Sequence, residues 1–103
     1  MGTDKNGFMK HDEGKVMVSL VDPEFIIGVG QILTFGAAKY EKNNWQLNTD
    51  LDRYKDAALR HLYAYLNGEL TDPESGYPHL DHAACNLMFL RYFEHGTKNK
   101  KDT

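Results

Sequence analysis

The sequence predicts an all-α fold, a three-helix core forming a helical bundle that is completed by oligomerisation. Three segments carry apolar residues at helical spacing, and each has recognisable capping or stop residues at an end. One β-branched segment, residues 15–21, predicts an extended stretch, but the chain offers no second strand to pair with it. We therefore expect helices and no sheet.

The first helix is predicted to begin after Asp22, which acts as N-cap, with Pro23 in the first helical position. Its apolar stripe is formed by Phe25, Ile26, Val29, Ile32, Leu33, Ala37 and Tyr40. Three glycines interrupt this pattern, and each costs roughly 0.5–1 kcal/mol of helix stability relative to alanine. Gly28, Gly30 and Gly36 therefore indicate close approach by another backbone or a ligand, or else a break in the helix.

The second and third helices have clear boundary signals. The second is predicted to start after Thr49 as N-cap and to end at Asn67 and Gly68. The third follows Pro78 and is predicted to stop at Gly96. Their apolar stripes are Leu51, Tyr54, Ala58, Leu62 and Tyr65 in the second helix, and Leu80, Ala83, Ala84, Leu87 and Leu90 in the third.

One domain is expected, spanning residues 15–96. Residues 1–14 mix glycine and charge without periodicity and predict a flexible, extended N-terminal arm, and residues 97–103 predict a disordered basic tail. About 80 residues in three helices give a thin core. The first and third helices are also apolar around much of their circumference, so we expect a second copy to complete the bundle.

Composition and charge exclude several functional classes. The net charge of −3 argues against binding to nucleic acid or to an anionic membrane. No apolar run is long enough to span a bilayer, and residues 1–15 lack the apolar stretch of a signal peptide. The single cysteine, Cys85, suits a reducing compartment and is interpreted as a small apolar filler. The expected location is the cytoplasm, which is the host cytoplasm if a phage encodes the chain.

Residues 68–86 crowd polar groups into one loop and the first turns of the third helix. These groups are Glu69, Asp72, Glu74, His79, Asp81, His82 and Asn86. On that helix, His79, His82 and Asn86 share a stripe with Phe89 and Phe93. A stripe that is polar for two turns and then aromatic predicts a bundle interior that opens into a polar pocket. The alternative is a solvated loop and an ordinary capped helix start.

Residues elsewhere offer matching groups. His61 lies on the buried stripe of the second helix beside Arg60, and Lys39 and Trp45 follow the first helix. Trp45 either stacks on a base or caps the core. Magnesium or manganese would be held by carboxylates, for which Glu69, Asp72, Glu74 and Asp81 are the candidates, whereas a phosphate would be bound by Arg60, Lys39 and the histidines. Spacing alone does not decide between these ligands.

Several separated motifs agree, in order, with one known family. They are "FGAAKY", "NNW", "RYKDAALRHLYAYLNGE" and "DPESGYPHLDHAACNLMFL", within residues 12–93. The chain resembles the phage and bacterial dATP/dGTP diphosphohydrolase-like family, which is related to the MazG-type all-α NTP pyrophosphohydrolases and the MazZ enzymes. The resemblance implies an oligomeric helical protein that binds a nucleotide at a bundle interface. In its catalytic relatives, carboxylates hold a divalent metal, and water splits the bond between the α and β phosphates.

The chain departs from the MazG-type catalytic pattern at two places. The second helix has no Glu-x-x-Glu, and His79 and His82 stand where acidic ligands are expected. The leading hypothesis is nevertheless a Mg²⁺- or Mn²⁺-dependent (d)NTP pyrophosphohydrolase that yields (d)NMP and pyrophosphate. Its predicted residues are Glu69, Asp72 and His82 for catalysis; Glu69, Asp72 and Glu74 for metal; and Lys39, Trp45, Arg60, His61, His79 and Asn86 for substrate.

Two other hypotheses stay open. In the first, the chain is an anti-defence sponge that sequesters a nucleotide-derived immune signal of the cyclic nucleotide or ADP-ribose type without chemistry. In the second, it is a structural oligomerisation module whose histidines only pack and cap helices.

Overall fold

Three α-helices make up most of the chain that the structure describes. The computed structural model covers the backbone of residues 14–102 and the side chains of residues 14–94. The helices are α1 (Pro23–Lys39), α2 (Leu51–Leu66) and α3 (His79–Asp102), with 3₁₀ turns at Val18–Leu20 and Asn44–Leu47. Residues 14–102 contain no strand, only an isolated antiparallel bridge between Thr71 and Pro78. The all-α prediction is confirmed, while the predicted arm lies, apart from Gly14, outside the described residues.

Residues 15–21 do not form the extended segment predicted for them. Val18–Leu20 is a 3₁₀ turn, in which the amide of Leu20 donates to the carbonyl of Met17 (3.1 Å) and the amide of Val21 to that of Val18 (3.0 Å). Because no strand lies alongside, the backbone satisfies its hydrogen bonds locally. The apolar side chains of this segment are exposed.

Helix α1 begins as predicted and runs without a break through its three glycines. Oδ1 of Asp22 accepts a hydrogen bond from the amide of Glu24 (3.3 Å). Only Gly28 approaches another element, because a Cβ there would overlap the Asp81 carboxylate of α3, whereas Gly30 and Gly36 face open space. Close approach therefore explains one glycine of the three.

The face of α1 that packs inward differs from the predicted stripe. Gly28 and Ile32 are buried, but Ile26 is 56% exposed and Tyr40 is 63% exposed. The small residue allows α1 to lie close to α3 at Gly28, and this contact rotates the predicted stripe partly out toward solvent.

The N-cap of helix α2 lies one residue later than predicted. Asp50 rather than Thr49 is the N-cap, and the Asp50 side chain makes no capping hydrogen bond. The predicted C-terminal stop is confirmed, since Gly68 takes a positive φ of 97° and its amide donates to the carbonyl of Tyr65 (2.9 Å).

Helix α3 continues through Gly96 to Asp102, so the predicted stop at Gly96 is wrong. One glycine costs a helix only about 1 kcal/mol, and lysine is both a good helix former and favourable near a helix C-terminus. These local preferences outweigh the single stop signal.

The core lies where α3 packs against α2 and α1. Its buried residues are Ile32, Ala58, Ala83, Cys85, His79 and Asn86. Leu80 and Leu87, predicted to be on the apolar face of α3, are exposed instead. The inward face of α3 is the stripe of His79, His82 and Asn86 that continues into phenylalanines. No helix among the described residues has the length and hydropathy needed to cross a membrane.

Candidate functional site

A cavity of about 1130 Å³ lies between the C-terminal half of α1, the 3₁₀ turn that follows it, and the facing sides of α2 and α3. Eight of the predicted site residues line it: Lys39, Trp45, Arg60, His61, Asp72, Glu74, His82 and Asn86. Glu69 and His79 are not among the residues lining the cavity, although His79 belongs to the cluster of histidines described below and Glu69 contacts it. Most of the predicted site residues therefore lie around one cavity.

One wall of the cavity is aromatic. The ring of Trp45 stacks on Phe89 with centroids 4.5 Å apart, and Tyr92 packs edge-on against it at 4.9 Å. The hydroxyl of Tyr54 donates a 2.7 Å hydrogen bond to the carbonyl of Trp45. Trp45 thus belongs to the aromatic core and also lines the cavity, with Phe89 covering one ring face.

Another wall is basic. Lys39, Arg53 and Arg60 line it. Arg53 was not singled out from the sequence, although its position seven residues before Arg60, two helical turns away, places both on the same face of α2. The helical period was the signal that would have found it.

Three histidines meet at one end of the cavity. Nδ1 of His61 lies 2.8 Å from Nδ1 of His79, and the ring of His61 stacks on that of His82 with centroids 4.4 Å apart and an angle of 9°. Nε2 of His79 lies 2.7 Å from Oε1 of Glu69. The cluster therefore joins α2, the start of α3 and the loop between them.

The loop before α3 folds on itself and holds Asp72. The amide of Asp72 donates to the carbonyl of Tyr77 (2.8 Å), and the amide of Gly76 donates to the carbonyl of Asp72 (2.8 Å). Oδ2 of Asp72 accepts a hydrogen bond from the amide of Ser75 (3.1 Å). These bonds orient the carboxylate toward the histidines.

Ser75 is a site residue that the sequence analysis missed. Its Oγ lies 2.7 Å from Nε2 of His82, which is also 3.6 Å from Oδ2 of Asp72. The sequence signal was "DPES", in which an aspartate three residues before a serine is typical of a turn closed by an aspartate side chain.

The environment keeps two of the histidines neutral at pH 7. Burial, together with the nearby His82 and His79, lowers the pKa of His61 to about 4. Burial also lowers the pKa of His82 and outweighs the opposing charge of Asp72. Burial raises the pKa of Asp72, but hydrogen bonds from Ser75 and the nearby histidines lower it by more, so this carboxyl is ionised.

Among the described residues, one set of side chains could bind a metal ion. His61, Asp72 and His79 each offer one ligand atom, and these atoms lie within 4.8 Å of one another. The predicted set of Glu69, Asp72 and Glu74 does not form such a group among the described residues, and Glu69 is instead paired with His79.

Asn86 lines the cavity but is already bonded within its helix. Its Nδ2 donates a 2.9 Å hydrogen bond to the carbonyl of His82. This bond uses one of the two amide hydrogens, so the second hydrogen and the side-chain oxygen are left to meet a ligand.

Comparisons with known proteins agree with the resemblance drawn from the motifs. The sequence model of the family described as dATP/dGTP diphosphohydrolase, N-terminal, matches residues 5–103. A protein of Salmonella phage PMBT28 named dATP/dGTP diphosphohydrolase is 39% identical over 82 residues, which cover 80% of this chain and 28% of that protein. The chain thus matches little more than a quarter of its relative's length. No solved structure matches it. From the match along nearly its whole length, we conclude that the chain belongs to the dATP/dGTP diphosphohydrolase N-terminal family.

Proposed function

We propose that the chain binds a (d)NTP in its cavity and hydrolyses it to (d)NMP and pyrophosphate with the help of a divalent cation. The observation that carries this proposal is that one cavity combines a basic wall with an ionised carboxylate and neutral histidines. The cavity volume of about 1130 Å³ is slightly above the range of about 300–1,000 Å³ usual for small-molecule sites, so the cavity is large enough for a nucleotide.

The charges of the cavity support phosphate binding in the presence of a cation. Arg60 and Lys39 supply positive charge to phosphate oxygens, and the guanidinium can form two parallel hydrogen bonds. Asp72 is ionised and lines the same cavity, so it would repel phosphates directly. A divalent cation between this carboxylate and the phosphates removes that repulsion.

Hydrolysis adds one water across the bond between the α and β phosphates, with the hydroxyl joining one phosphorus and pyrophosphate leaving. A bound Mg²⁺ or Mn²⁺ supplies charge that stabilises the phosphates in the transition state and activates water. We assign His82 to orienting the water, because its neutral ring lies in the cavity wall and is fixed by Ser75.

The name of the phage relative, dATP/dGTP diphosphohydrolase, makes dATP and dGTP the first substrates to test. Because the match covers 28% of that protein, the activity has to be measured on this chain itself. The purified chain is incubated with each dNTP and NTP and manganese or magnesium, and monophosphate and pyrophosphate are measured by chromatography.

We expect turnover that EDTA abolishes and that Asp72→Asn and Arg60→Ala each remove. Arg91→Ala is the matched control, because Arg91 is an exposed arginine of α3 outside the cavity wall. Turnover that survives Asp72→Asn would contradict the proposal.

The second candidate is a sponge that sequesters a cyclic nucleotide or ADP-ribose-type signal. The donor group favours it, because Asp72 is the one carboxylate among the three metal donors found in the described residues. A sponge raises its melting temperature with nucleotide in the presence of EDTA and releases intact ligand on denaturation. A chain that shows neither turnover nor this shift would be a structural module.

A second copy of the chain is proposed to complete the bundle beside the cavity. The N-terminal half of α1 exposes Phe25, Ile26 and Ile27, which form an apolar surface without a partner among the described residues. Light scattering after size exclusion should give a mass of at least two chains, and Ile27→Glu should reduce it to one.

A further inference from the structure

We propose that His61, Asp72 and His79 form a site for one transition-metal ion, with Glu69 as the residue that positions His79. The use of this ion in hydrolysis rests on the proposed function, but the binding itself does not. The site differs in ligand chemistry from the all-carboxylate set that the sequence predicted, because two of its three donors are imidazole nitrogens.

The distance between Nδ1 of His61 and Nδ1 of His79 suits two ligands of one metal ion. Metal–nitrogen bonds are about 2.0–2.1 Å long, so two ligands at a right angle lie about 3.0 Å apart and two in a tetrahedral site about 3.4 Å apart. The Nδ1 atoms of His61 and His79 are separated by 2.8 Å. The two nitrogens therefore need to move apart only slightly to occupy adjacent ligand positions of an octahedral site.

Glu69 fixes the ring of His79 in the state that a metal ligand needs. The carboxylate oxygen accepts, so Nε2 of His79 is the nitrogen that donates across the 2.7 Å contact. In a neutral ring this leaves a lone pair on Nδ1, which faces His61. A metal-bound histidine held by a carboxylate through its other nitrogen is a recurrent arrangement in proteins.

The third donor is also held in place before any ion arrives. Oδ2 of Asp72 accepts the amide hydrogen bond of Ser75, and the backbone of Asp72 is bonded to Tyr77 and Gly76. His61 and Asp72 line the cavity, whereas His79 is 4% exposed. An ion at this site is accordingly open on one side to a ligand in the cavity.

The donor chemistry selects the class of ion. Two imidazoles and one carboxylate suit Mn²⁺, Fe²⁺, Co²⁺ or Zn²⁺, while Mg²⁺ and Ca²⁺ are bound by oxygen ligands. The alternative is that the contact between His61 and His79 is an ordinary hydrogen bond of a neutral pair, in which case no ion binds.

The test uses the whole chain stripped of metal with a chelator that is then removed, without nucleotide. Mn²⁺ is titrated in and the free ion is followed by electron paramagnetic resonance, with Mg²⁺ and Zn²⁺ as competitors. We expect one Mn²⁺ per chain, displacement by Zn²⁺, and no displacement by a tenfold excess of Mg²⁺. Absence of one-to-one binding, or displacement by equimolar Mg²⁺, would overturn the proposal.

Metal binding by single-substitution variants tests whether the ion binds to this site or to the carboxylate set that the sequence predicted. His79→Gln and Asp72→Asn should abolish one-to-one binding, and Glu69→Gln should weaken it about 10–100-fold. Glu74→Gln should bind as the parent chain does, as should Asp56→Asn, an exposed carboxylate of α2. Circular dichroism checks that each variant is folded. A loss in Glu74→Gln equal to that in His79→Gln would point to carboxylates and refute the assignment.

The two proposals fail in different ways. Nucleotide binding is measured separately in excess Mg²⁺ without a transition metal, and it should depend on Arg60 and Lys39 of the cavity wall. If the metal titration fails while nucleotide still binds, only the metal site is wrong. If the ion binds and no nucleotide does, the metal site stands without the proposed substrate.

Discussion

Nε2 of His79 donates a 2.7 Å hydrogen bond to Oε1 of Glu69, and this contact joins a side chain that is 5% exposed to one that is 55% exposed. An exposed glutamate side chain therefore orients the buried ring of His79. The same pairing directs its other nitrogen toward His61. One exposed glutamate thus determines how the interior of the site is arranged.

Removing this glutamate should destabilise the fold even without a ligand. Glu69→Ala leaves Nε2 of His79 buried without an acceptor, which costs about 1–3 kcal/mol of the free energy of unfolding. Urea denaturation followed by circular dichroism in EDTA measures this loss at neutral pH. Glu69→Gln keeps an acceptor oxygen and should lose less.

Glu74→Ala is the control for this prediction, because Glu74 is also an exposed acid of the loop but has no hydrogen bond to a histidine within residues 14–94. Its free energy of unfolding should stay within about 0.5 kcal/mol of the parent value. Equal losses in Glu69→Ala and Glu74→Ala would show that the contact with His79 does not contribute.

Stability should fall when the pH is lowered from about 6.5 to about 4. Burial, with His82 and His79 nearby, lowers the pKa of His61 to about 4, whereas in the unfolded chain it is near 6.5. Between these values the unfolded chain binds more protons, so acid favours unfolding and the free energy of unfolding rises with pH. Urea denaturation at several pH values in EDTA measures this slope.

His61→Gln tests the origin of the slope. The variant removes the titrating ring, so its free energy of unfolding should change less between pH 4 and pH 6.5 than that of the parent chain. A parent curve that is flat over this range, or a slope that His61→Gln leaves intact, would contradict the assignment.

The helix boundaries that depend on local chemistry could be predicted from the sequence. Asp22 and Pro23 start α1, and Gly68 ends α2, because caps and left-handed glycines act within a few residues. The end of α3 was missed because a single glycine is a weak stop. Gly28 could be recognised as unusual, but its partner Asp81 lies 53 positions away along the chain and only packing brings them together.

Many residues of the candidate site could be predicted from the sequence, but their pairings could not. A stripe that changes from His79 and His82 to Phe93 has to face inward, and it does. The pairing of Glu69 with His79 depends on the closed loop, in which the amide of His79 donates to the carbonyl of Leu70 (2.9 Å). Such a closure brings residues ten apart into contact without any periodic signal, so the acids were counted as metal ligands instead.

Trp45 should prove more important to the core than to ligand binding. Its ring stacks on Phe89 and meets Tyr92 edge-on, and large aromatic truncations in cores cost about 3–5 kcal/mol. Because Trp45 is half-buried, we expect Trp45→Ala to lose about 3 kcal/mol of the free energy of unfolding. Trp45→Phe keeps a ring in the stack and should lose less.

The reading of Trp45 as a base-stacking residue makes the opposite prediction. Trp45→Ala would then leave the urea midpoint unchanged while weakening nucleotide binding. Thermal unfolding with and without dGTP, measured for both variants, separates the two roles.

The three glycines of α1 should respond differently to alanine. Around Gly30 and Gly36 a Cβ would meet nothing, so Gly30→Ala and Gly36→Ala should each gain about 0.5–1 kcal/mol of helix stability. At Gly28 the new methyl group would overlap the carboxylate of Asp81, which must move for α1 and α3 to stay packed. Overpacking costs about 1–3 kcal/mol, so Gly28→Ala should be less stable than Gly30→Ala by about that amount.

A double variant shows whether the Asp81 side chain is responsible. In the Asp81→Ala background there is no carboxylate to displace, so adding Gly28→Ala should recover the gain seen at Gly30. The coupling between the two substitutions is obtained from urea denaturation of the parent, both single variants and the double variant. If Gly28→Ala alone is as stabilising as Gly30→Ala, α1 does not approach α3 closely at Gly28. The packing that turns the predicted stripe of α1 partly toward solvent would then be wrong as well.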